Sequence, residues 1–248
     1  MKKIFILFAT TLIMVSCQIT ERVYIQESGA VQYETEVDFS EMIGLMFTEA
    51  DKDSLRLIGE FPMDSVMKFS DLEKFDAKLG VEGASEAERN FMKVMDKMNV
   101  RMVMNDTHGK MIFGIHEKDV NSFNAYMKEM RAATEQLERE DKKAAEEFNQ
   151  SGLLKTMEFK YNGKTFERIA GNETAGMLEE MDDSTAESTR QMMNMFQYKL
   201  EYHFPKKIKK TSIENATYSL DGKIMTVNVP MMELLDKPEK YNFTVEFE

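Results

Sequence analysis

Apolar and polar residues alternate over much of this chain. Val31, Tyr33, Thr35, Val37 and Phe39 take every second position, with Gln32, Glu34, Glu36 and Asp38 between them. That is the period of a half-buried strand. Val23-Tyr24-Ile25 precedes it across Glu27-Ser28-Gly29-Ala30, so residues 23–39 predict a β-hairpin with Gly29 in the turn. Ser40 reads as the N-cap of a short helix carrying Met42, Ile43, Leu45 and Met46. From Asp51 to Gly80 the pattern is broken by Pro62, and Phe61, Val66, Met67, Phe69, Leu72 and Phe75 predict short helical pieces packed on a core. Ser85-Glu86-Ala87-Glu88 matches a capping box and opens a helix bearing Phe91, Met92, Val94, Met95 and Met98. Val100–Met104 and Lys110–Ile115 predict two strands about the turn Asn105–Gly109. Asp119 to Phe148 carries the longest helical pattern, with Phe123, Tyr126, Met127, Met130 and Leu137 on one face. Its charged end, Glu135 to Glu147, reads as a solvated extension.

Further along, Met157–Tyr161 and Lys164–Ile169 flank Asn162-Gly163, the dipeptide suited to a two-residue type I′ hairpin turn. Glu173–Asp183 and Thr185–Phe196 predict helices. Tyr198–Phe204 alternates strictly and stops at Pro205, ahead of the small basic cluster Lys206–Lys210. Ile213–Leu220 and Lys223–Val229 pair about Asp221-Gly222; a helical turn, Met231–Leu235, ends at Pro238, and Tyr241–Phe247 closes the chain as a strand. Hairpins interleaved with helices predict an α+β fold with a largely antiparallel sheet of about nine or ten strands.

The first seventeen residues depart from this pattern. Lys2 and Lys3 precede Ile4–Met14, which holds no charge, and polar residues Gln18, Thr20, Glu21 and Arg22 follow at once. The run is shorter than the roughly 20 residues a bilayer span needs, and reads as an export signal. Cys17 is the single cysteine, so it has no disulfide partner within the chain. Met14-Val15-Ser16-Cys17 resembles the lipobox of bacterial lipoproteins, with Met14 in the place usually held by leucine. The resemblance implies cleavage before Cys17 and lipidation of Cys17 through a diacylglycerol thioether and an N-acyl chain such as palmitate. More than one buried chain is the condition for stable anchoring. The bland alternative is an ordinary secretory signal with a chance cysteine near its end. The predicted organisation is a signal peptide over 1–16, a lipidated N-terminus and tether over 17–22, and one envelope domain over 23–248.

Charge narrows the partners. The formal net charge is −12, and losing Lys2 and Lys3 makes the mature chain more acidic still. Nucleic acid is excluded as an expected partner, because phosphate contacts require Lys and Arg. With 42% apolar residues the mature chain has the composition of a folded domain.

Val23–Phe39, the run Tyr202-His203-Phe204-Pro205-Lys206-Lys207-Ile208, Asp221-Gly222 and Tyr241–Phe247 together resemble LppM-type envelope lipoprotein domains. Lys206 stands where that family has glycine. The whole chain is also similar to envelope lipoproteins of Bacteroidetes-type bacteria. The resemblance implies a lipid-anchored α+β envelope domain and supplies no catalytic residue. Surface-exported lipoproteins of such bacteria carry an acidic cluster after the lipidated cysteine. Here Glu21 is offset by Arg22, which predicts an outer-membrane position facing the periplasm.

Candidate chemistry is sparse. His108, His116 and His203 are scattered, with no metal-ligand spacing, and Asp51-Lys52-Asp53 lacks the glycine and distal glutamate of a calcium loop. No nucleophile elbow or P-loop is present, so neither an enzyme nor a cofactor is expected. The 23 methionines are the unusual feature: Met92, Met95 and Met98 share a helix face, Met102 and Met104 a strand face, and Met192, Met193 and Met195 cluster. They read as adaptable core filler, as the lining of an apolar-ligand cavity, or as thioether ligands of Cu(I). Asp53-Ser54-Leu55, Asp64-Ser65-Val66 and Asp183-Ser184-Thr185 resemble O-glycosylation sites of Bacteroidetes-type envelopes and equally suit caps and turns. The leading expectation is a lipid-anchored, non-enzymatic binding or scaffolding protein. A periplasmic carrier of a lipid or acyl chain and a Cu(I)-binding protein are the alternatives.

Overall fold

The computed structural model describes residues 17–74, 85–140, 157–171, 187, 190, 191, 193, 194 and 196–248. The predicted signal peptide lies outside them. β1 (Cys17–Ile25) and β2 (Val31–Asp38) form the opening hairpin. Val23 and Ile25 of β1 and Val31, Tyr33 and Thr35 of β2 point inward and are buried, with Val23 opposite Tyr33. β1 begins well before Val23. Residues 17–22, expected as a tether, are a strand in which Gln18 pairs with Asp38 on one side and Gln197 on the other. The alternation was hidden because one inward position is occupied by Glu21, a charge where the period asks for an apolar residue.

Ser40 does not cap a helix through its side chain. Residues 40–42 make a 3-10 turn before α1 (Ile43–Met46), and Ser40 Oγ accepts a hydrogen bond from Gly109 N at 3.1 Å. A Cβ at Gly109 would lie 2.2 Å from the Phe39 ring, so only glycine lets the two corners close. α2 (Glu49–Leu57) opens on a capping box formed by Thr48 and Asp51. The next segment, expected as helical pieces, contains an edge strand, β3 (Met63–Lys68), paired to β4 (Asn99–Met104). An edge strand is covered on one face and one side only. Here Ser65 sits between the inward Met63 and Met67, and Val66 faces solvent, so no apolar alternation marks it.

α3 (Glu86–Met95) starts at the predicted capping box and buries Ala87, Phe91, Val94 and Met95. β5 (Gly109–Glu117) and α4 (Val120–Glu140) follow; α4 includes the start of the predicted charged extension, and residues 141–148 fall outside the described residues. β6 (Met157–Tyr161) and β7 (Thr165–Ala170) make the expected hairpin. Its turn is not type I′, which needs positive φ at both central residues. Gly163 alone has it (80°), and Asn162 Oδ1 instead accepts from Lys164 N at 2.9 Å and Thr165 N at 2.8 Å. The helices predicted over 173–183 and 185–196 lie outside the described residues, apart from helical residues 187, 190, 191 and 193, a turn at Asn194, and Phe196, which begins a strand instead of ending a helix. β8 (Phe196–His203), β9 (Ile208–Thr211), β10 (Thr217–Tyr218), β11 (Ile224–Pro230), α5 (Met231–Asp236) and β12 (Phe243–Phe247) complete the chain.

The strands form two sheets: one of eight, in the order β10-β11-β8-β1-β2-β5-β4-β3, and one of four, β6-β7-β12-β9. Every pairing is antiparallel except β1 with β8. The α+β expectation therefore holds, with the N-terminal strand in the interior of the large sheet. The small sheet and α4 cover its inner face. Tyr202 of β8 meets Phe159, Phe166 and Phe243 at ring-centroid separations of 6.2, 5.7 and 5.0 Å. Phe123 of α4 stacks on Phe159 at 4.6 Å and leans on Tyr33 at 5.7 Å. Such aromatic pairs add to the stabilisation from apolar burial itself.

Candidate functional site

β1 joins two ends of the molecule. At one end its first residue, Cys17, pairs with Phe196 of β8. At the other, the strand runs into the turn Glu27-Ser28-Gly29, which forms one wall of a cleft of about 520 Å³. The start of α4 (Asp119, Asn121, Asn124) and the β6–β7 hairpin make the other walls. Nine strand residues at about 3.3 Å each put roughly 30 Å between Cys17 and the cleft.

Each wall is locally set. Gly29 adopts a φ of 86°, Gly29 N donates to Gln26 O, and Gln26 N donates to Ala30 O, closing the turn. Asp119 caps α4 by accepting from Ser122 N at 2.7 Å, and the hydrogen bonds from Ser122 hold its carboxyl below the ordinary value. The Asn124 carboxamide docks on the backbone of β6, donating to Phe159 O at 2.8 Å and accepting from Phe159 N at 2.9 Å. It thereby takes the place of a neighbouring strand at this edge. Lys206 Nζ donates to Gly163 O at 2.7 Å and steadies the hairpin. The rim carries the carboxylates of Glu27, Asp119 and Glu158, while its lysine, Lys160, pairs with Glu167 at 3.2 Å. The cleft therefore offers mainly hydrogen-bond acceptors and amides.

A second polar cluster lies deep between the sheets, and the sequence reading missed it. Glu21 and Arg168 are both 0% exposed. Arg168 Nε and Nη2 reach the two Glu21 carboxylate oxygens at 3.0 and 3.1 Å, and Nη1 donates to Tyr241 O at 3.1 Å. Tyr198 donates to Glu21 Oε2 at 3.2 Å, and Tyr202 both donates to Glu21 Oε1 and accepts from Arg168 Nε at 2.8 Å. Burial works against the Arg168 charge, but Glu21, Tyr202 and Tyr198 together outweigh it and raise its pKa. Burial, with the Glu21 charge beside them, drives the Tyr198 and Tyr202 phenols well above their ordinary value. With every partner inside the protein, this cluster clamps the small sheet to the large one and offers no open face to a substrate. The available signal was a charge at an inward position of an otherwise apolar alternation, seen at Glu21 among Ile19, Val23 and Ile25 and at Arg168 beside Phe166.

The histidines are not brought together. His108 sits in the β4–β5 turn, its Nδ1 2.8 Å from Thr107 Oγ1; His116 is exposed on β5; His203 packs on Tyr24 at 4.3 Å with Glu201 2.9 Å away. Among the described residues, no group of three or more His, Cys, Asp or Glu side chains is placed to hold a metal ion. Met95, Met98, Met127, Met130, Met157 and Met225 are buried in one continuous core. Ser54 donates to Ala50 O within α2, and Asp64 forms a two-pronged pair with Arg101 on β3–β4. The third Asp-Ser motif, at 183–185, lies outside the described residues. No helix among the described residues is long and apolar enough to cross a membrane.

No family model matches the chain, and no curated protein matches it. Among solved structures, it is similar to the folded domain of LppM from Mycobacterium tuberculosis, determined by NMR, with a TM-score of 0.38 and 8% identity over 94% of this chain and 90% of that one. A likeness at that level supports no conclusion about function.

Proposed function

We propose that this chain is a lipid-anchored protein of the cell envelope, held by acyl chains on Cys17, with a binding or scaffolding role in place of a catalytic one. It would sit in the outer membrane facing the periplasm, presenting the cleft between β1–β2, α4 and the β6–β7 hairpin on the side away from the bilayer. The observation that carries this reading is β1: the residue fitted for lipidation is its first, and the cleft wall begins at its far end. An anchor and a recognition surface at opposite ends of one interior strand suit a protein that holds a partner at a set height. The rim of carboxylates and amides suits a polar ligand rich in donors. The methionines that an apolar-ligand carrier or a copper protein would turn toward its cargo are, at Met95, Met98 and Met130, buried against other core side chains. Replacing Cys17→Ala tests the anchor: the variant moves from the membrane fraction to the soluble periplasmic fraction. Retention in the membrane fraction removes the reading.

A further inference from the structure

Resting on the anchored reading above, we infer that the Cys17 end of the large sheet is itself a bilayer-contacting surface, with Leu57 and Ile58 as the residues that enter the lipid interface. Two independent features meet there. The first is the absence of slack. From Cys17 onward β1 is paired to β8, and from Gln18 to β2 as well, so a lipid on Cys17 would issue directly from the sheet. The body of the protein could not stand off from the bilayer without unpairing an interior strand.

The second is an exposed apolar tip. Register places Gln18, Asp38 and Lys110 in one row across β1, β2 and β5, and continues through Gly109 and Met104 to Met63 at the start of β3. The chain leaves β2 beyond this row and re-enters at Met63, so α2 and its C-terminus lie on the same end as Cys17. Leu57 and Ile58 close that helix, 88% and 66% exposed. Backbone hydrogen bonds define the turn that carries them. Glu60 N donates to Leu55 O and Gly59 N to Arg56 O, with Gly59 at a φ of 76°, the pattern of a glycine-terminated helix. Arg56 ties the tip to the β4–β5 turn through Asp106 and lies 4.9 Å from the Phe61 ring. Beneath it Ile43, Phe61, Met63 and Met104 form a small core separate from the main one. Two large aliphatic side chains held out on a braced tip, at the same end of the sheet as the point where acyl chains would leave, fit a lipid interface. Asp53, Glu60 and Asp106 around the tip favour zwitterionic over anionic lipid.

The test uses full-length lipidated protein reconstituted in vesicles of phosphatidylethanolamine and phosphatidylcholine. With Cys17 acylated, Ile58→Cys supplies a unique thiol for an environment-sensitive fluorophore, and Ser28→Cys, in the cleft wall, supplies the control. The expected result is a blue-shifted emission at position 58 that lipid-borne nitroxides quench at least several-fold more than emission at position 28. Equal, water-like emission at both positions, with the protein still floating with the vesicles, overturns the contact surface and leaves the anchor standing. Failure to float with the vesicles overturns both.

Discussion

Arg168 and Glu21 are a charge pair cut off from water, and their worth depends on keeping both. Removing one partner of a buried pair strands the other, at a cost of about 3–5 kcal/mol, whereas replacing both with apolar residues of similar size is often close to neutral. Arg168→Met is therefore expected to lower unfolding stability by about 3–5 kcal/mol in urea titration, and Glu21→Leu combined with Arg168→Met to recover most of that loss. A single-variant cost below about 1 kcal/mol would mean that the pair does not hold the sheets together. Tyr126 is the converse case. Its hydroxyl is buried with no hydrogen-bond partner among the described residues, and burial pushes its phenol well up. Tyr126→Phe removes an unsatisfied group and is expected to leave stability unchanged or raise it by up to about 1 kcal/mol. Tyr126 does not stand out in the sequence. A tyrosine on an apolar helix face looks the same whether or not its hydroxyl finds a partner. Glu21 next to Arg22 looks like a surface pair, yet the two residues point to opposite faces of β1, one to Arg168 and the other to Glu201.

Among elements, the central strands carry a lattice of charges on the outer face of the large sheet. Glu201 of β8 accepts from Arg22 at 2.8 Å, lies 2.9 Å from His203 Nε2 and pairs with Lys199 at 3.1 Å. Partial burial raises its pKa, but the bonds from His203, Arg22 and Lys199 prevail and bring it down to about 2, against an ordinary value of 4.5. A carboxylate depressed in the folded state stabilises fully above its unfolded pKa and loses that contribution as pH falls. Stability should therefore decline between about pH 4.5 and 2, and Glu201→Gln should flatten that part of the profile by about 1 kcal/mol or less, since the group is partly solvated. An unchanged acid limb in the variant would place the titration elsewhere. Most elements were legible wherever one face is covered and the other wet: β2, β8, β12 and the capping box of α3 follow their periods. β3 was not, because an edge strand in which Ser65 and Val66 are both exposed has no apolar alternation to read. The start of β1 was hidden by Glu21, whose partner lies far along the chain on β7.

At the scale of the whole molecule, the proposed lipid on Cys17 would lie roughly 30 Å from the cleft along one interior strand. The fold class could be read from the sequence, and Cys17 is the residue it proposes for lipidation. The cleft could not, since Ser28, Asn121 and Asn162 are ordinary turn and helix-start residues until the two sheets and α4 bring their loops together. The claim on which the rest depends is the chemistry of Cys17. Mass spectrometry of tryptic peptides from the membrane-extracted protein tests it directly. The expected result is an N-terminal peptide running from Cys17 to Arg22, bearing a diacylglyceryl group on sulfur and an acyl chain on its amine. A peptide retaining residues N-terminal to Cys17, or one beginning at Cys17 with no lipid mass, would contradict it.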